Sequence, residues 1–131
     1  MTDLLIVDDD HAILELLEIV FVKAGIRCVI LADPSMVEAI VSSEHPSAIL
    51  MDIYMPPYDG RNICFSLKKH FPSLAVLLCS ANVVAHETIA ASRADLFIAK
   101  PFDIFGLVAT VKEYLYKPVA IPADITADLQ S

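Results

Sequence analysis

The chain has 131 residues, of which 56% are hydrophobic and 20% are charged. This length and composition predict one globular domain and exclude a collagen-like chain, a disordered chain and a disulfide scaffold. Nine Lys and Arg residues against 17 Asp and Glu residues give a net charge of −8. Because so acidic a surface repels phosphate backbones, we do not expect direct binding to nucleic acid; cations and basic partners fit the chain better.

The sequence predicts neither a membrane span nor a signal peptide. Its longest stretch without a charged side chain, residues 70–86, includes Pro72 and Asn82 and falls short of the roughly 18 consecutive apolar residues that a spanning helix needs. The first apolar run is not preceded by the basic residues that open a signal peptide. The three cysteines (Cys28, Cys64 and Cys79) lack CxxC spacing, which indicates reduced core thiols. We therefore expect a cytoplasmic protein.

Short apolar runs alternate with segments whose apolar residues recur at helical spacing. The predicted strands are residues 4–7, 26–31, 47–51, 74–79 and 95–99. The predicted helices are residues 11–24, 34–44, a segment around Ile63 and Leu67, 83–92 and 103–116. Residues 54–60 contain two prolines and a glycine and are predicted to form a loop.

Five such strand–helix repeats, with nearly continuous apolar strands, predict a parallel sheet that is covered by helices on both faces. The result is a three-layer α/β sandwich. We assign residues 1–117 to this domain. Residues 118–131 have neither Lys nor Arg and no helical spacing, so we interpret them as a flexible tail or linker.

Polar residues follow most of the predicted strands at their carboxyl ends: Asp8, Asp9, Asp10, Asp52, Ser80 and Lys100. Ligands of open parallel sheets bind at this edge, so we expect these side chains to converge, with Asp10 also capping the first helix. Clustered carboxylates repel one another unless a cation neutralises them, and an incomplete set of oxygen ligands suits Mg²⁺. Together with a lysine and a hydroxyl, they predict a phosphoryl-transfer site.

The sequence resembles the response regulator receiver family of two-component signalling over residues 3–117. The matching fragments occur in the family's order and nearly all at strand ends: Val7-Asp8-Asp9-Asp10, Met51-Asp52-Ile53-Tyr54-Met55-Pro56, Asp59-Gly60, Ser80-Ala81 and Lys100-Pro101-Phe102. The resemblance implies a flavodoxin-like (βα)5 fold with strand order 2-1-3-4-5. It also implies a phosphorelay function, in which a histidine kinase or a phosphotransfer protein phosphorylates Asp52.

The same resemblance implies roles for the residues at the sheet edge. Asp9 and Asp52 would bind Mg²⁺ directly, Asp8 through a water molecule, and Tyr54 through its backbone carbonyl. Lys100 would pair with the phosphoryl oxygens. The protein would then catalyse only its own phosphorylation and slow dephosphorylation, and would not otherwise be an enzyme.

A switch is also implied. Ser80 would move to hydrogen-bond the phosphoryl group, and Phe97 would turn inward behind it. The Lys100–Pro101 peptide is expected to be cis. Phe105 takes an outward-facing position in the last helix, on the face that receivers use for dimers, targets or output domains, so it is a candidate interface residue.

Two other classes of function fit parts of the pattern. A small Mg²⁺-dependent phosphohydrolase using Asp52 is disfavoured because Tyr54 stands where haloacid-dehalogenase-type phosphatases place a second Asp. A receiver-like scaffold that never takes phosphate is disfavoured because it has no need of a repulsive acidic cluster. One departure from the family is Arg93, which replaces the usual glycine ahead of the fifth strand and removes the usual glycine cap of the preceding helix.

Overall fold

The computed structural model describes residues 1–82, 84–101 and 103–116. Within these ranges five parallel strands form one sheet: β1 (Leu4–Val7), β2 (Cys28–Leu31), β3 (Ala48–Asp52), β4 (Ala75–Ser80) and β5 (Leu96–Ala99). Their order across the sheet is β2-β1-β3-β4-β5, which confirms the predicted order. The predicted end of the domain at residue 117 and the predicted tail, residues 118–131, lie outside the described residues.

Among the described residues, five α-helices cover the sheet: α1 (His11–Lys23), α2 (Val37–Glu44), α3 (Gly60–His70), α4 (His86–Ser92) and α5 (Ile104–Leu115). A 3-10 turn, Pro34–Met36, leads into α2. The Asp10 carboxylate accepts hydrogen bonds from the backbone N–H groups of Ala12 and Ile13 at 3.0 and 3.4 Å. Asp10 therefore caps α1, as predicted, because its oxygen satisfies N–H groups that lack a partner within the helix.

Alternate strand residues pack into two separate cores, because successive side chains of a strand point to opposite faces of the sheet. Leu5, Ile49 and Val76 lie in one core with side chains from α2 and α3. Leu4, Leu50 and Leu77 lie in the other with side chains from α1 and α5. Burying each such side chain contributes about 1.5–3 kcal/mol. The packed cores therefore fix the strand ends and, with them, the residues that follow each strand.

Several segments differ from the sequence prediction: β2 begins at residue 28 rather than 26, and the predicted helix 34–44 is α-helical only from residue 37. Residues 54–60 contain a minimal antiparallel hairpin, in which Tyr54–Met55 pairs with Tyr58–Asp59 around a turn at residues 56 and 57. Helix α4 begins at His86 rather than at residue 83, and no side chain caps its start. It ends at Ser92, and the cap residue Arg93 adopts the left-handed conformation (φ 66°) that glycine usually supplies. The left-handed cap is thus kept without the glycine.

The described residues contain no helix that is both long and apolar enough to cross a membrane. All three cysteines are free thiols, as predicted: Cys64 and Cys79 are buried and Cys28 is half-buried. Burial raises the pKa of the Cys64 thiol to about 11 and that of the Cys79 thiol to about 12. Both thiols therefore stay protonated near neutral pH and are poor nucleophiles.

Candidate functional site

Three carboxylates meet at the carboxyl edge of the sheet. Asp8 and Asp9 directly follow β1, and Asp52 is the last residue of the neighbouring strand β3. One oxygen from each of these three carboxylates lies within 4.8 Å of the other two. Asp8 and Asp52 are buried, at 3% and 8% exposure, whereas Asp9 is exposed. The structure therefore brings together the acidic residues that strand order alone placed at this edge.

Lys100 reaches the same cluster from the end of β5, one of the two edge strands of the sheet. Its Nζ lies 2.9 Å from Oδ2 of Asp8 and 3.6 Å from Oδ2 of Asp52. Its side chain is only 13% exposed. The Lys100 backbone N–H donates to the Ser80 carbonyl at 2.9 Å, which continues the β4–β5 ladder, and the Lys100–Pro101 peptide is cis, as predicted.

The charges of the cluster do not balance, because one lysine faces three carboxylates. Burial raises the pKa of Asp52; the field of Lys100 opposes this rise and the field of Asp8 adds to it. Burial by itself lowers the pKa of Lys100, but the hydrogen bond to Asp8 and the negative field around it outweigh burial and leave that pKa raised. Lys100 therefore stays charged, while Asp52 is held in a site that disfavours its negative charge.

Ser80 ends β4 beside the cluster and is buried. Its Oγ accepts a hydrogen bond from the Asn82 backbone N–H at 3.1 Å. This bond orients the hydroxyl into the turn that follows the strand. Ser80 thus stabilises its own turn here.

The remaining predicted site residues are Tyr54, Phe97 and Phe105, and of these only Tyr54 adjoins the carboxylate cluster, two residues after Asp52. The backbone of Tyr54 acts to lower the pKa of Asp52, against the larger effect of burial, and the Tyr54 side chain is 65% exposed. Phe97 is half-buried and packs against the core shared with α2 and α3. Phe105 lies on α5 with 86% of its surface exposed. The structure does not bring Phe97 or Phe105 into the carboxylate cluster.

Gly60 has a role that the sequence did not reveal. Its backbone N–H donates to the Ile53 carbonyl at 2.8 Å. A Cβ added at Gly60 would overlap the Asp52 carbonyl oxygen and lie 3.0 Å from the Ile53 Cα. Only glycine lets the start of α3 approach the backbone of Asp52 this closely. The motif Asp59-Gly60 was visible in the sequence, but its contact with β3 needed the folded chain.

The donor set of the cluster suits a hard divalent cation. The three candidate ligands are all carboxylates, and oxygen ligands are those that Mg²⁺ and Ca²⁺ prefer. Three carboxylates cannot by themselves complete an octahedral shell, which leaves positions for water or phosphate oxygens. The residues present therefore fit Mg²⁺.

This strand order, with acids after β1 and β3 and a lysine after β5, defines a flavodoxin-like α/β protein whose acidic site lies at the carboxyl edge of the sheet. Residues 4–121 match the family described as the response regulator receiver domain. The chain belongs to this family.

Curated relatives and solved structures agree with this assignment. The chain is 33% identical over 109 residues to the DNA-binding transcriptional regulator NtrC of Salmonella typhimurium, a match that covers 82% of this chain and 23% of the relative. The chain thus spans about a quarter of the length of the curated relatives it matches.

Among solved structures, a putative response regulator from Chloroflexus aurantiacus has 29% identity and a TM-score of 0.79, covering 88% of this chain and 98% of that one. The response regulator TrrA from Thermotoga maritima, solved in complex with Mg(2+)-BeF, has 23% identity and a TM-score of 0.80, covering 88% of this chain and 100% of that one. At this lower identity, the likeness to TrrA shows a shared fold only.

Proposed function

We propose that the chain is the phosphoacceptor of a two-component phosphorelay, with Asp52 as the accepting residue. The position of Lys100 Nζ, 2.9 Å from Asp8 and 3.6 Å from Asp52, is the observation that carries this proposal. An ammonium group in this place can move from the carboxylates to the oxygens of a phosphoryl group on Asp52. A lysine that served only the fold would not need to be buried beside more acids than it can neutralise.

The proposed reaction transfers a phosphoryl group from a phosphohistidine of a kinase or phosphotransfer protein. A carboxylate oxygen of Asp52 attacks phosphorus and forms the P–O bond of an acyl phosphate, while the donor's P–N bond breaks. The electron pair of that bond stays on the histidine nitrogen. Lys100 stabilises the charge on the equatorial oxygens, so positioning and electrostatics supply the catalysis.

We assign a Mg²⁺ ion to the same cluster, with Asp9 and Asp52 as direct ligands, Asp8 acting through water and Tyr54 contributing its carbonyl oxygen. When bound, the ion would neutralise the carboxylates and draw charge from the phosphoryl oxygens. The Mg(2+)-BeF complex of the Thermotoga maritima relative supports this assignment. Because the ion binds the folded form, Mg²⁺ should raise the melting temperature, and Asp9→Ala should remove that effect; a shift that survives the substitution contradicts the ligand assignment.

Phosphorylation is proposed to change surface contacts rather than to begin turnover. The Ser80 hydroxyl would leave Asn82 for the phosphoryl group, and Phe97 would turn inward. The output surface would comprise α4, β5 and α5, where Phe105 is 86% exposed. Its partner would be a target protein, a second copy or an output domain, since relatives such as NtrC are several times longer than this chain. We propose a cytoplasmic location.

The proposal is tested by exposing the full chain to acetyl phosphate and Mg²⁺ and measuring its mass. The wild type should gain one phosphoryl group, and Asp52→Asn should gain none. Multiple turnover on a phosphate ester would instead identify a phosphohydrolase. No gain in the wild type would leave the receiver-like scaffold as the function.

A further inference from the structure

The sequence of helix α4 gives it little intrinsic stability. It has seven residues, and its first residue follows Ala85, which offers no side-chain cap. Its last turn ends at Arg93 in the left-handed conformation, which costs a residue with a side chain about 1–2 kcal/mol. Because isolated helices of this length are unstable in water, the position of α4 depends on contacts with the rest of the molecule.

Arg61 in the first turn of α3 supplies one such contact. Its Nε and Nη2 donate to the two carboxylate oxygens of Asp59 at 3.0 and 2.6 Å. This two-pronged pair fixes the plane of the guanidinium. The remaining Nη1 donates to Oγ1 of Thr88 on α4 at 3.1 Å. The Thr88 hydroxyl in turn donates to the carbonyl of Ala85, the residue that precedes α4, at 2.8 Å.

This series of hydrogen bonds, from Asp59 through Arg61 and Thr88 to Ala85, begins next to the acidic cluster. Gly60, which precedes Arg61, is bonded to the Ile53 carbonyl and packs against the backbone of Asp52. The other end of α4 is also tied to α3, because the Arg93 guanidinium lies 5.2 Å from the centre of the Phe65 ring. Helix α4 is therefore attached to α3 near both of its ends, and the Arg61 contact joins it to the segment that follows Asp52.

We propose that Arg61 is a positioning residue that latches α4 to α3 and sets how readily α4 moves when Asp52 is phosphorylated; the second half of this statement rests on the proposed function. The Ser80 hydroxyl is bonded to the Asn82 N–H. To bond a phosphoryl group it must give up that hydrogen bond, which releases the turn and lets the segment leading to α4 move. The Arg61–Thr88 bond opposes this movement. Breaking the bond shifts the population towards the moved arrangement.

The latch itself is tested by hydrogen exchange of the α4 amides in the full chain, without phosphodonor. Arg61→Gln and Thr88→Val should each speed exchange in residues 86–92 by about threefold to tenfold, as expected for loss of one solvent-exposed hydrogen bond. Arg61→Lys should behave like Arg61→Gln, because lysine keeps the positive charge but lacks the planar guanidinium that bonds Asp59 and Thr88 together. Thr88→Ser should match the wild type because it keeps the hydroxyl.

The matched control is Arg27→Gln. Arg27 forms the same kind of two-pronged pair, with Asp3, but lies at the opposite edge of the sheet. It should leave α4 exchange unchanged. If Arg61→Gln and Thr88→Val also leave it unchanged, or if their effects simply add in the double variant, the latch is refuted.

The regulatory half is tested by the initial rate of phosphorylation from acetyl phosphate with Mg²⁺. Arg61→Gln and Thr88→Val should raise this rate, whereas Arg27→Gln and Thr88→Ser should not. Faster α4 exchange with an unchanged rate would overturn the regulatory role of the latch. A wild type that takes up no phosphate would refute the proposed function, while the exchange experiment would still decide the latch.

Discussion

Replacing Asp52 by asparagine should stabilise the fold. The carboxylates of Asp8 and Asp9 each place an oxygen within 4.8 Å of an Asp52 oxygen, and the repulsion from buried Asp8 is worth on the order of 3.5 kcal/mol at an effective dielectric of about 20. The attraction to Lys100 at 3.6 Å is worth about 4.6 kcal/mol on the same scale. Burial disfavours the negative charge of Asp52 and is the main cause of its raised pKa. The repulsion from Asp8 cancels part of the attraction to Lys100, so the ion pair does not compensate for burial.

The net effect on the free energy of unfolding is smaller than these unscreened energies. Asp9 in particular is exposed, and solvent screens its charge. We expect Asp52→Asn to raise the free energy of unfolding by about 1–2 kcal/mol at neutral pH without divalent ions. Urea unfolding of both proteins in the presence of a chelator measures this difference in the free energy of unfolding. Added Mg²⁺ should narrow the difference, because the ion stabilises the wild-type cluster more.

The stability difference between the wild type and Asp52→Asn should change with pH in a defined direction. The folded protein holds a proton on Asp52 at pH values where the unfolded chain has lost it, since the folded pKa is raised. The wild type therefore gains stability as pH falls towards the ordinary aspartate range, and the advantage of the asparagine variant should shrink. Asp33→Asn is the matched control, because it changes the net charge equally and keeps a good helix cap. An Asp52→Asn variant that is no more stable than the wild type, or an equal gain in Asp33→Asn, would refute the electrostatic account.

Two further predictions concern the surroundings of the cluster, and a third concerns the Arg27–Asp3 ion pair. Gly60→Ala should lower the free energy of unfolding by about 1–3 kcal/mol and slow phosphate uptake, because the added Cβ displaces the Asp52 backbone; unaltered stability would contradict the close approach. Tyr54→Ala should shorten the acyl phosphate half-life by about threefold to tenfold, equivalent to about 0.7–1.4 kcal/mol, because we expect the bulky side chain two residues after Asp52 to limit water attack; an unchanged half-life rules this out. The Arg27 guanidinium and backbone N–H hold the pKa of Asp3 below its ordinary value, so this pair contributes stability above that ordinary value and loses it as pH falls through the lowered pKa. Asp3→Asn should remove this acid-sensitive component from unfolding curves, and curves of unchanged shape would count against the pair.

The sequence was sufficient for the features that depend on strand order. Apolar runs located the strands, and the rule that parallel strands share a carboxyl edge placed Asp8, Asp9, Asp52 and Lys100 together. Asp10 was identified as a cap because capping depends on its immediate neighbours. These inferences need only local pattern and topology.

Features that depend on distant side chains could not be predicted. Arg61 and Thr88 are 27 residues apart, and no periodicity relates them. The start of α4 was misplaced by three residues because no capping side chain marks it. The left-handed Arg93 contradicts the usual preference of that conformation for glycine, and its position over Phe65 is visible only in three dimensions.

The most direct test of the central claim is to locate the phosphoryl group. The full chain would be treated with acetyl phosphate and Mg²⁺ and then with borohydride, which reduces an aspartyl phosphate to homoserine, before peptide mapping by mass spectrometry. We predict homoserine at position 52 in the wild type and none in a Lys100→Met variant treated alike. Reduction at Asp8 or Asp9, or an unmodified position 52 in the wild type, would contradict the account.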